Sequence, residues 1–152
     1  MTGIGDSVML GASDILEEDI EGFTVTDAAT GMQAADAIEI LTDRRDAGEL
    51  GEAIVVHIGN NGPITEEEFE EIVSILEDTP RVVLVNVRAP LSWEASNNEL
   101  LREKDEEYEK ITVVDWNSAS YGHPEYFWDD GIHARPEGAE VYAELIAESL
   151  GR

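Results

Sequence analysis

The opening of the chain places a serine where it could act as a nucleophile. Residues 3–11 read Gly-Ile-Gly-Asp-Ser-Val-Met-Leu-Gly, so an apolar residue leads into a Gly-Asp-Ser turn, which a helical pattern follows. A strand-to-helix turn presents the hydroxyl of Ser7 at the sheet edge, and backbone N–H groups at the helix start face any oxyanion formed there. Serine also favours the N-cap of a helix, so ordinary capping is the alternative role of Ser7.

An aspartate and a histidine near the other end of the chain have the spacing of a base and its orienting acid. Asp130 lies three residues before His133, on a loop that leads into a helix. Asp130 can therefore hold the Nδ1 proton of His133, which leaves Nε2 free to take the serine proton. Asp129 is the alternative partner, but it lies one residue further from His133. The spacing predicts a triad of Ser7, Asp130 and His133.

A loop rich in glycine and asparagine is the third candidate part of the site, after the Ser7 turn and the Asp130–His133 loop. Gly59, Asn60, Asn61 and Gly62 follow the apolar run 53–58. Glycines let the backbone come close to a ligand, and an asparagine amide can donate to an oxyanion, so Asn61 is the candidate donor. Asn-Gly is also a strong turn signal, so a turn role for Asn61 is the alternative, and Asn60 is assigned to the turn. His57, inside the apolar run, is predicted to be buried and hydrogen-bonded.

Strands and helices alternate along the chain, and their packing must bring these three segments together. Apolar or β-branched runs predict strands at residues 2–4, 23–26, 53–58, 81–87 and 111–115. Helical spacing predicts helices at 8–20, 32–47, 66–78, 94–109 and 136–150, with a long loop at 116–135. This order predicts an α/β three-layer αβα sandwich with a central parallel sheet. In such sheets ligands bind outside the carboxyl ends of the strands, and the three candidate segments follow strand ends.

Other polar and aromatic residues near those strand ends have two interpretations each. Arg88 is either the structural partner of an acidic group or a residue of the substrate cleft. Trp93, Trp116 and Trp128 could belong to the core or to a sugar-stacking rim, and Trp93, just after a strand, is our candidate rim residue. His123 either closes its loop or lines the cleft.

The composition excludes several classes of function. The 152 residues carry 35 acidic and nine basic side chains, for a net charge of −26. Polyanion binding demands clustered cations, so a nucleic-acid partner is excluded. The chain has no cysteine, and the runs at 66–68 and 105–107 lack the convergent spacing of metal ligands. We expect one domain over residues 1–152 that is monomeric, uses no metal or cofactor, and has no signal or membrane-inserted segment.

Taken together, these motifs resemble the SGNH (GDSL-type) hydrolase superfamily, whose fold is flavodoxin-like. Gly5-Asp6-Ser7, then Gly59-x-Asn61, then Asp130-x-x-His133 match its blocks in the right order. Finer features resemble the extracytoplasmic SGNH domain of peptidoglycan O-acetyltransferases: the residues around these blocks, the stretch from Val85 to Trp93, and His123 with Pro124. Two departures are Gly62, where the superfamily usually has aspartate, and a first strand limited to residues 2–4.

The resemblance implies roles for individual residues. Ser7 would be the nucleophile and its N–H an oxyanion donor, with Asn61 donating its amide and Gly31 falling at the family's remaining oxyanion position. His133 would be the base and then the acid, oriented by Asp130. Family members move an acetyl group through an acetyl-serine to the C6 hydroxyl of muramoyl residues, or release it to water. A membrane acyltransferase domain of the full-length protein would supply the acetyl donor, at the extracytoplasmic face of a bacterial membrane.

Two other functions fit the same residues. A simple esterase or a carbohydrate O-deacetylase would use the same triad and would release the acyl group to water. A catalytically silent SGNH-like domain would only bind glycan, and its Ser7 would not react with a serine-directed reagent. For acetyl transfer, the expected partners are an acetyl donor and a carbohydrate acceptor. For the catalytically silent domain, the expected partner is glycan alone.

Overall fold

A computed structural model describes residues 1–151, and its centre is a parallel sheet. Within these residues the strands are β1 (Thr2–Gly5), β2 (Thr24–Ala28), β3 (Ala53–His57), β4 (Arg81–Val85) and β5 (Ile111–Val114). They lie in the order β2-β1-β3-β4-β5, and every neighbouring pair is parallel. The predicted parallel sheet is thus confirmed, and the carboxyl ends of all the strands meet at one edge.

Strand β1 is longer and more central than the sequence indicates. It includes Gly5, and it pairs with β2 on one side and with β3 on the other. Its glycines are required by close packing: a Cβ atom on Gly3 would lie 2.7 Å from the ring of Phe23, and one on Gly5 would lie 2.7 Å from Met9 Cβ. Because both neighbours hold β1, a strand of four residues suffices to carry the turn that follows it.

The helices are α1 (Ser7–Gly11), α2 (Ser13–Asp19), α3 (Ala34–Asp46), α4 (Glu66–Ile75), α5 (Glu94–Glu107), α6 (Trp116–Ser120) and α7 (Pro136–Ser149), with a 3₁₀ turn at Pro124–Tyr126. Two predictions were wrong. The predicted helix 8–20 is broken at Ala12, whose φ of −103° and ψ of 2° lie outside the helical range. The predicted loop 116–135 contains α6 and the 3₁₀ turn, because Asp115 accepts a hydrogen bond from the Ser118 N–H and so begins a helix.

Apolar side chains cover both faces of the sheet. On one face, Val55, Val83 and Val85 pack with residues of α1, α2 and α7. On the other face, alternate strand residues such as Ile54 and Val82 pack with residues of α3, α4 and α5. Two helical layers around one sheet confirm the three-layer αβα sandwich. None of the helices within residues 1–151 has the length and apolar character needed to cross a bilayer.

Helix α7 packs against the 3₁₀ turn at a glycine, and this contact predicts a stability effect. A Cβ atom on Gly138 would lie 2.3 Å from the carbonyl oxygen of Tyr126, closer than any real contact. We expect Gly138→Ala to lower the free energy of unfolding by about 1–3 kcal/mol, because backbone would have to shift. Urea denaturation measures this.

The matched control is Gly11→Ala, which places the same methyl group where, within residues 1–151, no heavy atom beyond the neighbouring residues and the helix's own backbone lies within 4 Å. Alanine in place of this helical glycine should leave the stability unchanged or raise it by up to about 1 kcal/mol. Equal stability of the two variants would contradict the assigned contact at Gly138.

Candidate active site

The nucleophile candidate is the first residue of α1, and its neighbour caps that helix. Asp6 is the N-cap: its carboxylate accepts a hydrogen bond from the Val8 N–H at 3.0 Å. The backbone N–H of Asp6 donates to the carbonyl oxygen of His57, which fixes the turn to β3. The capping alternative for Ser7 is therefore wrong. Ser7 is half-buried, and its hydroxyl lies 2.8 Å from His133 Nε2.

The loop before α7 holds the histidine through one carboxylate. Asp130 Oδ1 accepts hydrogen bonds from the backbone N–H groups of Ile132 and His133, at 2.8 and 3.0 Å. Asp130 Oδ2 lies 2.5 Å from His133 Nδ1. Gly131, with a φ of +70°, allows the tight turn between them. One oxygen of Asp130 thus shapes the loop while the other orients the ring.

The protonation state of Asp130 suits this arrangement. Partial burial acts to raise the pKa of Asp130, but the hydrogen bonds from the His133 ring and from the Ile132 and His133 backbone outweigh it and lower the pKa. An ionised carboxylate accepts the Nδ1 proton, so the lone pair of Nε2 is directed to Ser7 Oγ. The three groups can therefore withdraw a proton from the serine hydroxyl.

The loop after β3, residues 59–62, is pinned beside this triad by Gln33, the N-cap residue of α3, and by Asn97 of α5. Buried Asn97 donates through Nδ2 to the carbonyl oxygens of Gly59 and Gly62, at 3.0 Å each. Gln33 Nε2 donates to the carbonyl oxygen of Asn61 at 2.8 Å. Gly59 has a φ of +105° and lies against Val87, which explains the need for glycine. The sequence gives no signal for Asn97, because it lies in a strongly charged helix.

The two oxyanion candidates lie on neighbouring loops. The amide of Asn61, on the pinned loop, donates to the carbonyl oxygen of Met32 at 3.4 Å, which is a long hydrogen bond. Gly31 immediately precedes Met32, is exposed, and has a φ of +78°. The structure thus brings the loop of Gly31 to the loop of Asn61.

Asn60 has a different role from the one predicted. Instead of serving the turn, its side chain is buried at 4% exposure, and Nδ2 donates to Asp6 Oδ2 at 2.9 Å.

The prediction for His57 is confirmed: it is fully buried, and its Nδ1 lies 2.7 Å from the Tyr142 hydroxyl. The long separation of Tyr142 from His57 in the chain hid this pair from sequence reasoning.

The aromatic and cationic candidates divide between core and surface. Trp116 belongs to the core, with 1% exposure, whereas Trp128 is half exposed and lies under the guanidinium of Arg135 at 4.3 Å. Arg88 lies over the ring of Tyr121, with its guanidinium carbon 5.7 Å from the ring centroid, so its partner there is an aromatic ring and not an acidic group. Trp93 is half-buried.

Two further contacts locate the loops near the triad. The indole N–H of Trp93 donates to the carbonyl oxygen of Asn60 at 3.4 Å, and Pro90 packs next to Gly131. The stretch after β4 therefore contacts both the pinned loop and the loop of the catalytic candidates. His123 stacks on Tyr126 with 4.5 Å between ring centroids, which favours the loop-closing interpretation.

The burial of His57 predicts a pH dependence of stability. Desolvation lowers the pKa of His57 below its ordinary value, although the charge of Asp6 opposes this. The folded chain therefore binds fewer protons at His57 than the unfolded chain, and the stability falls as the pH drops below about 6.5. We expect this contribution to reach at most about 1.4 kcal/mol per pH unit.

The measurement is urea denaturation between about pH 7.5 and 5.5, a window chosen to lie above the carboxylate range. His57→Gln should show a smaller loss of stability across the window than the wild type, because it has no proton to bind. His123→Gln, at a half-exposed histidine, is the control and should follow the wild type. Parallel curves for the wild type and His57→Gln would contradict a buried neutral His57.

Comparison with known proteins gives consistent matches over almost the whole chain. No protein-family model matches it. O-acetyltransferase OatA of Staphylococcus aureus (strain NCTC 8325 / PS 47) is 33% identical over 148 residues, which are 97% of this chain and 24% of that protein. Peptidoglycan O-acetyltransferase OatA of Listeria monocytogenes is 32% identical over 149 residues, which are 98% of this chain and 24% of that protein. This chain thus spans about a quarter of the length of these relatives.

A solved structure matches at the level of the fold and the sequence together. The C-terminal catalytic domain of peptidoglycan O-acetyltransferase A (OatA) from Streptococcus pneumoniae, with a methylsulfonyl adduct, superposes with a TM-score of 0.87 and 27% identity. The match covers 98% of this chain and 90% of that one. The part of that pneumococcal protein which this chain resembles is thus its C-terminal catalytic domain.

Proposed function

The chain belongs to the SGNH (GDSL-type) hydrolase superfamily, and we propose that it transfers an acetyl group to a carbohydrate hydroxyl through an acetyl-serine at Ser7. The observation that carries the proposal is the continuous line of contacts from Ser7 Oγ to His133 Nε2, at 2.8 Å, and from His133 Nδ1 to Asp130 Oδ2, at 2.5 Å. The relatives, one named an O-acetyltransferase and the other a peptidoglycan O-acetyltransferase, support acetyl transfer as the reaction.

Acylation begins with attack of Ser7 Oγ on the carbonyl carbon of the acetyl donor. As the new C–O bond forms, His133 Nε2 takes the hydroxyl proton, and the carbonyl oxygen becomes an oxyanion. When the tetrahedral intermediate collapses, the bond to the donor alcohol breaks, and His133 returns the proton to that alcohol. Asp130 stabilises the imidazolium that exists between the two steps.

Deacylation repeats these steps with the acceptor as the nucleophile. A carbohydrate hydroxyl, which we take to be the C6 hydroxyl of a muramoyl residue, gives its proton to His133 and attacks the acetyl carbonyl carbon. The bond to Ser7 Oγ then breaks, and Ser7 recovers the proton from His133. Water can replace the carbohydrate, because the side chains of His133 and Asp130 are 45% and 43% exposed.

The oxyanion needs donors that are in place before the reaction. Ser7 offers its own N–H at the start of α1. Asn61 offers Nδ2, which within residues 1–151 is engaged only by a 3.4 Å hydrogen bond to the Met32 carbonyl oxygen. We assign the third donor to the N–H of Gly31, since its loop contacts that of Asn61. Contacts from Asn97 and Gln33 keep the loop of Asn61 rigid, as an oxyanion donor requires.

We assign the acceptor to the surface formed by the stretch after β4. Trp93 is half-buried and touches Asn60, so its remaining ring surface can pack on a sugar. Arg88 has no carboxylate within salt-bridge distance in residues 1–151, although the chain carries 35 acidic residues. Its donors therefore remain available for hydroxyl or carboxylate oxygens of an acceptor.

The relatives support a proposal for the wider setting of this domain. Because this chain matches about a quarter of their length, we propose that it works as one domain of a larger protein. A membrane acyltransferase domain would deliver acetyl groups to it at the extracytoplasmic face, where peptidoglycan is accessible. We propose that the domain itself acts as a monomer without a metal or cofactor.

The test compares transfer with hydrolysis. With an aryl acetate as donor and a chitooligosaccharide as acceptor, we expect acetylated oligosaccharide together with free acetate, both detected by mass spectrometry. The exposed triad favours a simple esterase or O-deacetylase as the second candidate function, and release of acetate alone would select it. Glycan binding with neither product would select the non-catalytic alternative and contradict the proposal.

A further inference from the structure

Four buried polar side chains form a network directly behind the nucleophile. Asp6, His57 and Tyr142 have 0% exposure and Asn60 has 4%. Asn60 Nδ2 lies 2.9 Å from Asp6 Oδ2 and 3.2 Å from His57 Nε2, and His57 Nδ1 lies 2.7 Å from the Tyr142 hydroxyl. The rings of His57 and Tyr142 also stack, with centroids 5.5 Å apart. The network joins the end of β1, the end of β3, the pinned loop and α7.

The contacts assign the protons within this network. The carboxylate of Asp6 can only accept, so it faces the NH₂ group of Asn60 and not the amide oxygen. The second hydrogen of that NH₂ group faces His57 Nε2, so we assign a lone pair to Nε2, although the backbone of Asn86 favours a protonated ring. His57 Nδ1 then carries the proton and donates to the Tyr142 hydroxyl. Burial keeps the ring neutral, because it lowers the pKa of His57.

This assignment leaves the amide of Asn60 one orientation. A flipped amide would direct its oxygen at the Asp6 carboxylate, which repels it. Asn60 Oδ1 is buried and has no protein partner within residues 1–151, so the two bonds of Nδ2 alone decide the orientation. If His57 did not accept one of these bonds, Asn60 would lose the contact that aims its other hydrogen at Asp6.

Asp6 links the side chain of Asn60 to the helix turn that carries Ser7. It precedes Ser7 in the chain, and its carboxylate caps α1 through the Val8 N–H while its second oxygen binds Asn60. A rotation of this carboxylate would release the first turn of α1, whose N–H groups and Ser7 hydroxyl we assign to the reaction. Because β3 is otherwise apolar from Ala53 to Val56, packing alone does not explain a histidine there.

We propose that His57 and Tyr142 are positioning residues for Ser7, acting through Asn60 and Asp6. Neither side chain lies in the triad: Tyr142 supports the ring of His57, His57 aims the amide of Asn60, and Asn60 fixes the cap of the nucleophile's helix. The inference rests on the proposed function. It adds three side-chain contacts that link Tyr142 to Asp6, and a fourth from Asp6 to the Val8 N–H in the first turn of the nucleophile's helix.

The test is the hydrolysis of an aryl acetate by Tyr142→Phe, which removes one oxygen and keeps the ring. We expect kcat to fall about 10-fold with KM changed less than about 2-fold, because small misplacements of a reacting group cost rate and not binding. The pH profile should keep its shape, since His133 remains the base. The matched control is Ser149→Ala on the same helix, whose lost hydroxyl bonds the Leu145 carbonyl and lies outside the network.

A second pair of variants tests His57 itself. His57→Gln offers an oxygen that can accept from Asn60, so it should retain more of kcat than His57→Leu, which we expect to lose about 100-fold. Adding Tyr142→Phe to His57→Leu should cause no further loss, because the tyrosine acts only through His57. Melting temperatures of all variants separate loss of rate from loss of fold.

The outcomes separate this inference from the proposed function. A wild-type kcat for Tyr142→Phe, or equal activities of His57→Gln and His57→Leu, would overturn the positioning role. A fall in kcat that follows the melting temperature in every variant, Ser149→Ala included, would also overturn it. If His57→Leu does not fold, Tyr142→Phe and His57→Gln decide alone. Failure of the proposed function would be seen instead as an active Ser7→Ala variant.

Discussion

Ser7→Ala should lower kcat for aryl acetate hydrolysis by about 10⁴-fold or more, because it removes the atom that forms the covalent intermediate. Only the oxyanion donors and ground-state binding would remain, and these leave a small residual rate over water. KM should change little, since Ser7 Oγ contributes to the reaction and not to the recognition of the acetyl donor. A stopped assay with high enzyme concentration measures the residual activity.

The structure also predicts that this variant stays folded. Asp6 and not Ser7 caps α1, so the melting temperature should shift by less than a lost cap would cause. Ser13→Ala is the matched control, because Ser13 also begins a helix and its hydroxyl, within residues 1–151, bonds only the Leu10 carbonyl. Wild-type kcat in Ser7→Ala, or an equal loss in Ser13→Ala, would remove Ser7 from the mechanism.

Asp130→Asn should lower kcat by about 10³–10⁴-fold at neutral pH while the loop keeps its shape. In the wild type, Asp130 Oδ1 accepts from the Ile132 and His133 backbone N–H groups. An asparagine would place its amide oxygen there, so its NH₂ group would face His133 Nδ1. The ring would then carry its proton on Nε2, and Nε2 could no longer accept the proton of Ser7.

The neighbouring aspartate supplies the control for this effect. Asp129→Asn makes the same change of charge one residue earlier, but the contact with His133 Nδ1 belongs to Asp130. We expect Asp129→Asn to keep kcat within about 3-fold of the wild type, in a chain whose net charge is already −26. Similar losses in the two variants would show that charge, and not the tautomer of His133, sets the rate.

The fold could be predicted where one residue class dominates a segment. Apolar residues dominate β3 and β4, as is typical of a parallel sheet covered on both faces, and the structure places both strands inside the sheet. Strand β1 gave a weaker signal, because Gly3 and Gly5 are poor strand formers chosen here for close packing. The break at Ala12 has only a weak signal, because Gly11 directly precedes it but an isolated glycine is also tolerated inside a helix.

The candidate triad could be predicted because its members carry local signals. Asp130 and His133 are three residues apart, and Ser7 lies in a turn motif. The network behind Ser7 has no such signal: His57 lies in an apolar strand, and its partner Tyr142 lies on an amphipathic helix 85 residues away. Likewise, two adjacent asparagines look alike in the sequence, and only the structure shows that Asn60 faces Asp6 while Asn61 faces Met32.

The measurement that tests the central claim most directly is the location of the acyl group. The wild-type protein is mixed with an aryl acetate, quenched in acid during turnover, digested, and analysed by tandem mass spectrometry. We predict one acetyl group on the peptide that contains Ser7, formed and lost at rates compatible with kcat, and absent from Ser7→Ala. Steady turnover with no acetyl group on Ser7, or with the group on another residue, would contradict the account.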